Sequence, residues 1–227
     1  MNELDLKKEG IRGVNSKLQT LPKNTNEKHW VVTNPMGQHS IAVGLDGPLQ
    51  VDIKGHVGFY CGGMNKESEI TIHGHAGVGT AENMMSGTVW VKGNSSESAG
   101  ATGNGGLLVI DGDASSRCGI SMKGIDIVVG GNVGHMSAFM GQRGNLVVCG
   151  DAGDALGDSI YEARLYVKGK VASLGADCIE KEMRAEHLGD LERLLKAAKR
   201  KENPSEFKRY GSARKLYNFS VDHADAY

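Results

Sequence analysis

Three constellations in the sequence have residue types suited to chemistry. His56 and His75 stand 19 residues apart with His73 beside them, a set that could begin a metal site. His135 and Asp154 repeat the same spacing, with Arg117 near them in register, and have the types of a general base and its orienting carboxylate. Gly77-Val78-Gly79 and Gly103-Asn104-Gly105 resemble pieces of a dinucleotide-binding glycine loop. Each reading weakens on inspection. The histidines lack a further ligand and an orienting shell. No serine or cysteine nucleophile has a place beside the His–Asp pair, so a surface ion pair is the expectation there. A glycine fingerprint needs a strand, a tight loop and a helix, and no helix fits between segments this closely spaced. Catalytic, cofactor-binding and metal-ligating residues are therefore all expected to be absent from this chain.

The reason for the spacing is an internal repeat. Gly55, Gly74, Gly93, Gly112, Gly131, Gly150 and Gly169 follow one another at 19 residues without an insertion. Two residues before them stand Ile53, Ile72, Val91, Ile110, Val129, Val148 and Val167, and four before stand Val51, Ile70, Val89, Leu108, Ile127, Leu146 and Leu165. Aliphatic residues alternating in this way predict a short strand with one buried face. Seven residues after each anchor only glycine or alanine occurs, from Gly62 and Ala81 to Gly157 and Ala176, which predicts close backbone approach or a tight corner. The column immediately after the anchor (His56, His75, Asn94, Asp113, Asn132, Asp151, Lys170) is rich in Asn, Asp and His, and is expected to mark a corner at positive φ.

A period near 20 without a leucine pattern or an asparagine ladder excludes a leucine-rich repeat, and helical repeats are longer. The fold class expected is all-β: a right-handed parallel β-helix of 19-residue coils, each with three short strands and three corners, and with a C-terminal helix and extended arm. Cys61 and Cys118 share a column three coils apart, about 14 Å and too far for a disulfide. The domain boundaries expected are an N-terminal arm or cap over 1–29, the β-helix over 30–176 with a degenerate first coil at 30–49, and a helix and aromatic arm over 177–227. Ile179, Met183, Leu191, Leu194, Leu195 and Ala198 fall on one side of a helix that Asn203-Pro204 ends. The segment after it carries Phe207, Tyr210, Tyr217, Phe219 and Tyr227 and is expected to wrap the rod or a partner.

Composition narrows the class further. The 26 basic and 27 acidic residues nearly cancel, which gives no electrostatic footprint for nucleic acid or an anionic membrane. No apolar stretch follows the first charges and no run is long enough to span a bilayer, so the chain reads as cytoplasmic. Four scattered cysteines form neither a disulfide framework nor a zinc spacing.

One feature exceeds the repeat. The middle residue of each strand points outward, and Trp90, Val109, Val128, Val147 and Tyr166 form an apolar stripe on the rod. Such a stripe is a candidate partner interface, or the seat of the chain's own helix; Trp90 and Tyr166 tip the expectation toward a partner.

The coils resemble the glycine-repeat (GXGXG) domain that ends the large subunit of glutamate synthase, over residues 30–176. The phrases Gly100-Ala101-Thr102-Gly103, Gly112-Asp113-Ala114, and Asn34 through Val43-Gly44-Leu45 carry the likeness. The whole chain, with Gly175-Ala176-Asp177-Cys178 and the stretch from Arg209 to Phe219, is similar to the stand-alone form of that domain, as in N-methylglutamate synthase (methylamine–glutamate N-methyltransferase). The resemblance implies a hetero-oligomer: an amidotransferase-like subunit, this β-helix, and an FMN-binding synthase-like subunit, with the flavin and the catalysis on the partners. It implies a non-catalytic scaffold here, with no cofactor on this chain. The alternatives are a glycine-repeat subunit of a formylmethanofuran dehydrogenase-type or other amidotransferase complex, and a β-helix enzyme with its own site.

Overall fold

The computed structural model describes residues 2–214. They form a parallel β-solenoid whose single sheet has eleven strands. β1 (Asn2–Asp5) leads into α1 (Leu6–Gln19), and β2 (His29–Thr33) opens the stack. β3 (Gln50–Ile53), β4 (Glu69–Ile72), β5 (Thr88–Val91), β6 (Leu107–Ile110), β7 (Lys123–Val129), β8 (Arg143–Val148) and β9 (Arg164–Val167) follow, one per coil. After them come β10 (Cys178–Lys181), α2 (Ala185–Ala197) and β11 (Lys208–Ser212).

The aliphatic columns stack in register. Val51 lies beside Ile70, then Val89, Leu108, Ile127, Leu146 and Leu165, and all are buried in one continuous core. The coil before them is longer, because His29 pairs with Gln50 and Val32 with Ile53. Continuing that register places Asn34 where the next coil has Gly55, so this coil has no anchor glycine at all.

Only one side of each coil is a regular strand, not three. A second side meets its neighbours through one residue per coil, Ala76 to Ser95 to Ala114 to Val133 to Ala152 to Val171. The third side places residues five, seven and nine after the anchor at positive φ, as at Ser98 (59°), Gly100 (69°) and Thr102 (54°). Their amides still reach adjacent coils: Gly100 donates to the Thr80 carbonyl at 2.8 Å, and Ser98 to the Ser116 carbonyl at 3.0 Å. The left-handed region costs a side-chain-bearing residue about 1–2 kcal/mol, which favours small residues here. The Gly/Ala column is doubly constrained, since Ala81 and Ala138 are fully buried and a Cβ on Gly100 would strike Ile127 Cδ1 at 2.6 Å.

Both ends of the stack are closed. β1 pairs in parallel with β2, and α1, broken at Gly10, lays Leu6, Val14 and Leu18 over the first coil. Asn15 fixes α1 there, donating to the Ser40 carbonyl at 2.7 Å and accepting the Ala42 amide at 2.9 Å. At the other end β11 runs antiparallel beside β9, and β10 pairs outside it. The helix expected from about residue 179 therefore begins at Ala185; Cys178–Lys181 is a strand because Lys208–Ser212 returns to pair with it. Phe207 and Tyr210 are buried against the rod, while Tyr217, Phe219 and Tyr227 lie outside the described residues.

The anchor glycines are explained by the residues that follow them. The Asn94 Oδ1 accepts the Asp113 amide at 3.0 Å, and the Asp113 Oδ1 accepts the Asn132 amide at 2.7 Å. A Cβ on Gly112 would fall on that Asn94 oxygen, and one on Gly93 would lie 2.5 Å from His75 Nδ1. Gly112→Ala is expected to destabilise the chain by about 1–3 kcal/mol, and Asn94→Ala by about 1 kcal/mol. In urea melts the double variant should lose less than the two losses combined, since Asn94→Ala removes the obstacle. Strict additivity would show that the acceptor is not what excludes the Cβ.

Candidate functional site

The apolar stripe runs along the outer face of the sheet. Val109, Val128, Val147 and Tyr166 are each 0 % exposed, packed with Leu191, Leu194, Leu195, Ala198 and Phe207. The chain's own α2 covers the stripe, which corrects the expectation of a partner. The cause is helical spacing: Leu191, Leu194, Leu195 and Ala198 recur on one face and fit a row of β-branched side chains. Trp90 closes the end of this layer, half-buried, donating to Asp111 at 2.9 Å beneath the Lys92 ammonium, 3.7 Å from its ring. Among the described residues the buried Tyr166 hydroxyl has no hydrogen-bond partner, and burial raises its pKa.

The Asn/Asp/His column does not lie at positive φ. It is a hydrogen-bond ladder: each side chain from His56 to Asp151 accepts the backbone N–H of its counterpart on the next coil, at 2.7–3.0 Å. The residue types were legible but the role was mistaken, because Asn, Asp and His suit both a left-handed corner and an acceptor ladder. His56 and His75 stack with ring centroids 4.9 Å apart, and their Nδ1 atoms are committed to this ladder. Among the described residues no group of three or more His, Cys, Asp or Glu is placed to hold a metal ion. No ion pair joins His135 to Asp154 among the described residues; Asp154 accepts instead from Ser173 at 3.0 Å. Cys61 and Cys118 are free and fully buried, and burial pushes the Cys118 thiol up to about 12, so neither is a thiolate nucleophile at neutral pH.

Two polar groupings on the outer face escaped sequence reasoning. At the N-terminal half, Asp52 accepts from His29 at 2.8 Å, from His73, and from Lys54 at 3.3 Å. Burial would raise the Asp52 pKa, but hydrogen bonds from His73, His29 and Lys54 outweigh it and hold the carboxyl near 2. The signal was the spacing: His29 and Asp52 lie on adjacent coils of unequal length. At the C-terminal end, a cavity of about 410 Å³ opens where β9, β10, β11 and the start of α2 meet, and Arg164, Lys181, Arg184, Arg209 and Arg214 line it. These residues come from four segments, so their convergence leaves no local pattern.

No helix among the described residues is long and apolar enough to cross a membrane. No family model matches the sequence. The chain is 63% identical over 228 residues to Protein GlxC of Rhizobium meliloti (strain 1021), an alignment that covers the whole of both chains.

Two outcomes are expected from this geometry. Val128→Asp buries an unpaired carboxylate under α2 and should cost several kcal/mol, roughly 3 or more, visible as a lowered midpoint in the isolated chain; deleting 185–201 should act likewise. A wild-type melting curve for Val128→Asp would place α2 elsewhere. For Asp52 the folded pKa lies below the ordinary 3.8. Its contribution is therefore present above pH 4 and lost as pH falls toward 2. Asp52→Asn should cost on the order of 1 kcal/mol at pH 6, and the gap to wild type should close by about pH 2 in denaturant titrations.

Proposed function

Since the chain belongs to the family of Protein GlxC, we propose that it is the β-helix subunit of a glutamate synthase-like complex, a non-catalytic scaffold between an amidotransferase-like subunit and an FMN-binding synthase-like subunit. The reading rests on the glycine-repeat motifs and on one structural observation. The polar side chains next to the anchors, which a repeat enzyme would gather into a site, are committed to holding the next coil's backbone. Their lone pairs stiffen the rod. A rod in strict register can hold two partners at a fixed separation, which is what a complex passing a reactive amine between chains requires.

Within that class we assign the N-methylglutamate synthase type, which converts methylamine and glutamate to N-methylglutamate and ammonia. The support is the likeness of the whole chain, arm included, to the stand-alone glycine-repeat subunit. The flavin belongs to the synthase-like partner.

The purified chain should bind no FMN and show no turnover with glutamine, glutamate or methylamine. Combined with the two partner chains it should form a stable hetero-oligomer by size exclusion, and that complex should release N-methylglutamate detectable by mass spectrometry. Turnover of methylamine or glutamine by the isolated chain would overturn the scaffold reading. A complex that assembles but accepts only ammonia would overturn the methylamine assignment alone.

A further inference from the structure

The C-terminal end of the outer face holds an unbalanced cluster of cations. In the antiparallel pairing of β11 with its neighbours, Arg209 stands directly opposite Lys181 on one side and Tyr166 on the other. Opposed residues of an antiparallel pair project to the same face, so two like charges face each other across one ladder, an arrangement that is destabilising by itself. Arg164 lies two residues from Tyr166 on β9 and lines the same cavity, as do Arg184 and Arg214.

Most of these cations have an anion of their own. Arg164 donates to Asp190 at 2.7 Å, Arg184 pairs with Glu182 at 3.2 Å, and Arg214 pairs with Asp177. Arg209 and Lys181 do not. Arg209 uses only its Nε, which donates to the Glu182 carbonyl at 2.9 Å, and Lys181 donates to the Ser212 carbonyl at 2.8 Å. Neither has a carboxylate within ion-pair distance among the described residues, and the terminal guanidinium nitrogens of Arg209 have no acceptor there. Glu162 and Glu186 also line the cavity, against five cations. Burial, together with the nearby Arg164 and Arg184 charges, lowers the Arg209 pKa, with Tyr166 acting in the opposite sense. The α2 N-terminus opens at the same place, with Glu186 and His187 of its first turn on the cavity wall.

We propose that this cavity is an anion-binding site, in which Arg209 and Lys181 take an oxyanion of the carboxylate or phosphate class. A guanidinium with two free terminal nitrogens presents a fork that matches such a group bidentately, and a lysine beside it supplies a second donor with a free charge. The volume, about 410 Å³, is that of a small-molecule site. A bound anion converts the opposed Arg209–Lys181 pair from a repulsion into a bridge, so ligand binding and the antiparallel closure of the rod are coupled. This site is independent of the scaffold reading, because it requires no partner chain.

The test is thermal melting of the full chain with added inorganic phosphate or succinate, against sodium chloride at matched ionic strength. Either anion should raise Tm by about 5 °C near saturation, and Arg209→Gln should lose that rise while melting at or above wild type without anion. A larger response to phosphate assigns a phosphorylated ligand, and a larger response to succinate a carboxylate. Lys181→Gln gives a second reading should Arg209→Gln fail to fold, and it too should lose the rise. No anion-specific shift in wild type, or an equal shift in every folded variant, would overturn the site. Failure of hetero-oligomer assembly would leave this result untouched.

Discussion

The structure depends on one local fit repeated along the rod. At each corner an acceptor atom from one coil takes the space that a side chain on the next coil's anchor would need, and in return it accepts that coil's backbone N–H. A single-residue slip removes the acceptor from the amide and places a Cβ against it. The register is thus enforced twice, by a hydrogen bond gained and a clash avoided. The aliphatic columns then stack without further specification, because a core of Ile, Val and Leu tolerates exchanges that keep its volume.

The same constraint explains the irregular third side. Residues held at positive φ on three positions per coil are costly one at a time. They persist because amides on both flanking coils are already fixed by the ladder and the strand, so a relaxed conformation would leave buried backbone groups unpaired.

What was legible in the sequence follows this division. The coil period, the strand positions and the inward columns were readable because they repeat without insertion, and every instance supports the others. The ladder was misread because Asn94 or Asp113 has the same type whether it turns the chain or accepts from the next coil; only the stacking distinguishes them. The start of α2 was placed too early because Ile179 and Met183 extend its apolar spacing, whereas Ile179 belongs to a strand whose partner, Gly211, is distant in sequence. The stripe from Trp90 to Tyr166 was seen, but sequence could not say which apolar helix face would reach it first. The expected N-terminal arm or cap has few apolar residues, and Leu4, Leu6, Val14 and Leu18 suffice to seat it because they all meet one coil end. The Arg209 grouping was invisible for the opposite reason, since its members come from segments that no periodicity relates, whereas the Asp52 grouping sits on consecutive coils and was hidden only by the unequal length of the first.

The reversal of chain direction at β11 has a bearing on growth. A parallel coil stack is a template for itself, since each exposed coil presents the edge on which an identical coil can be laid, as in a polymer with a living end. An antiparallel strand across that edge is a chain terminator, and β1 with α1 caps the opposite end. The two end stops close the stack whatever the number of coils between them. Duplication or loss of one internal unit would lengthen or shorten the rod in steps of about 4.8 Å while leaving both stops intact, so that the molecule is a ruler whose graduations can be added or erased singly.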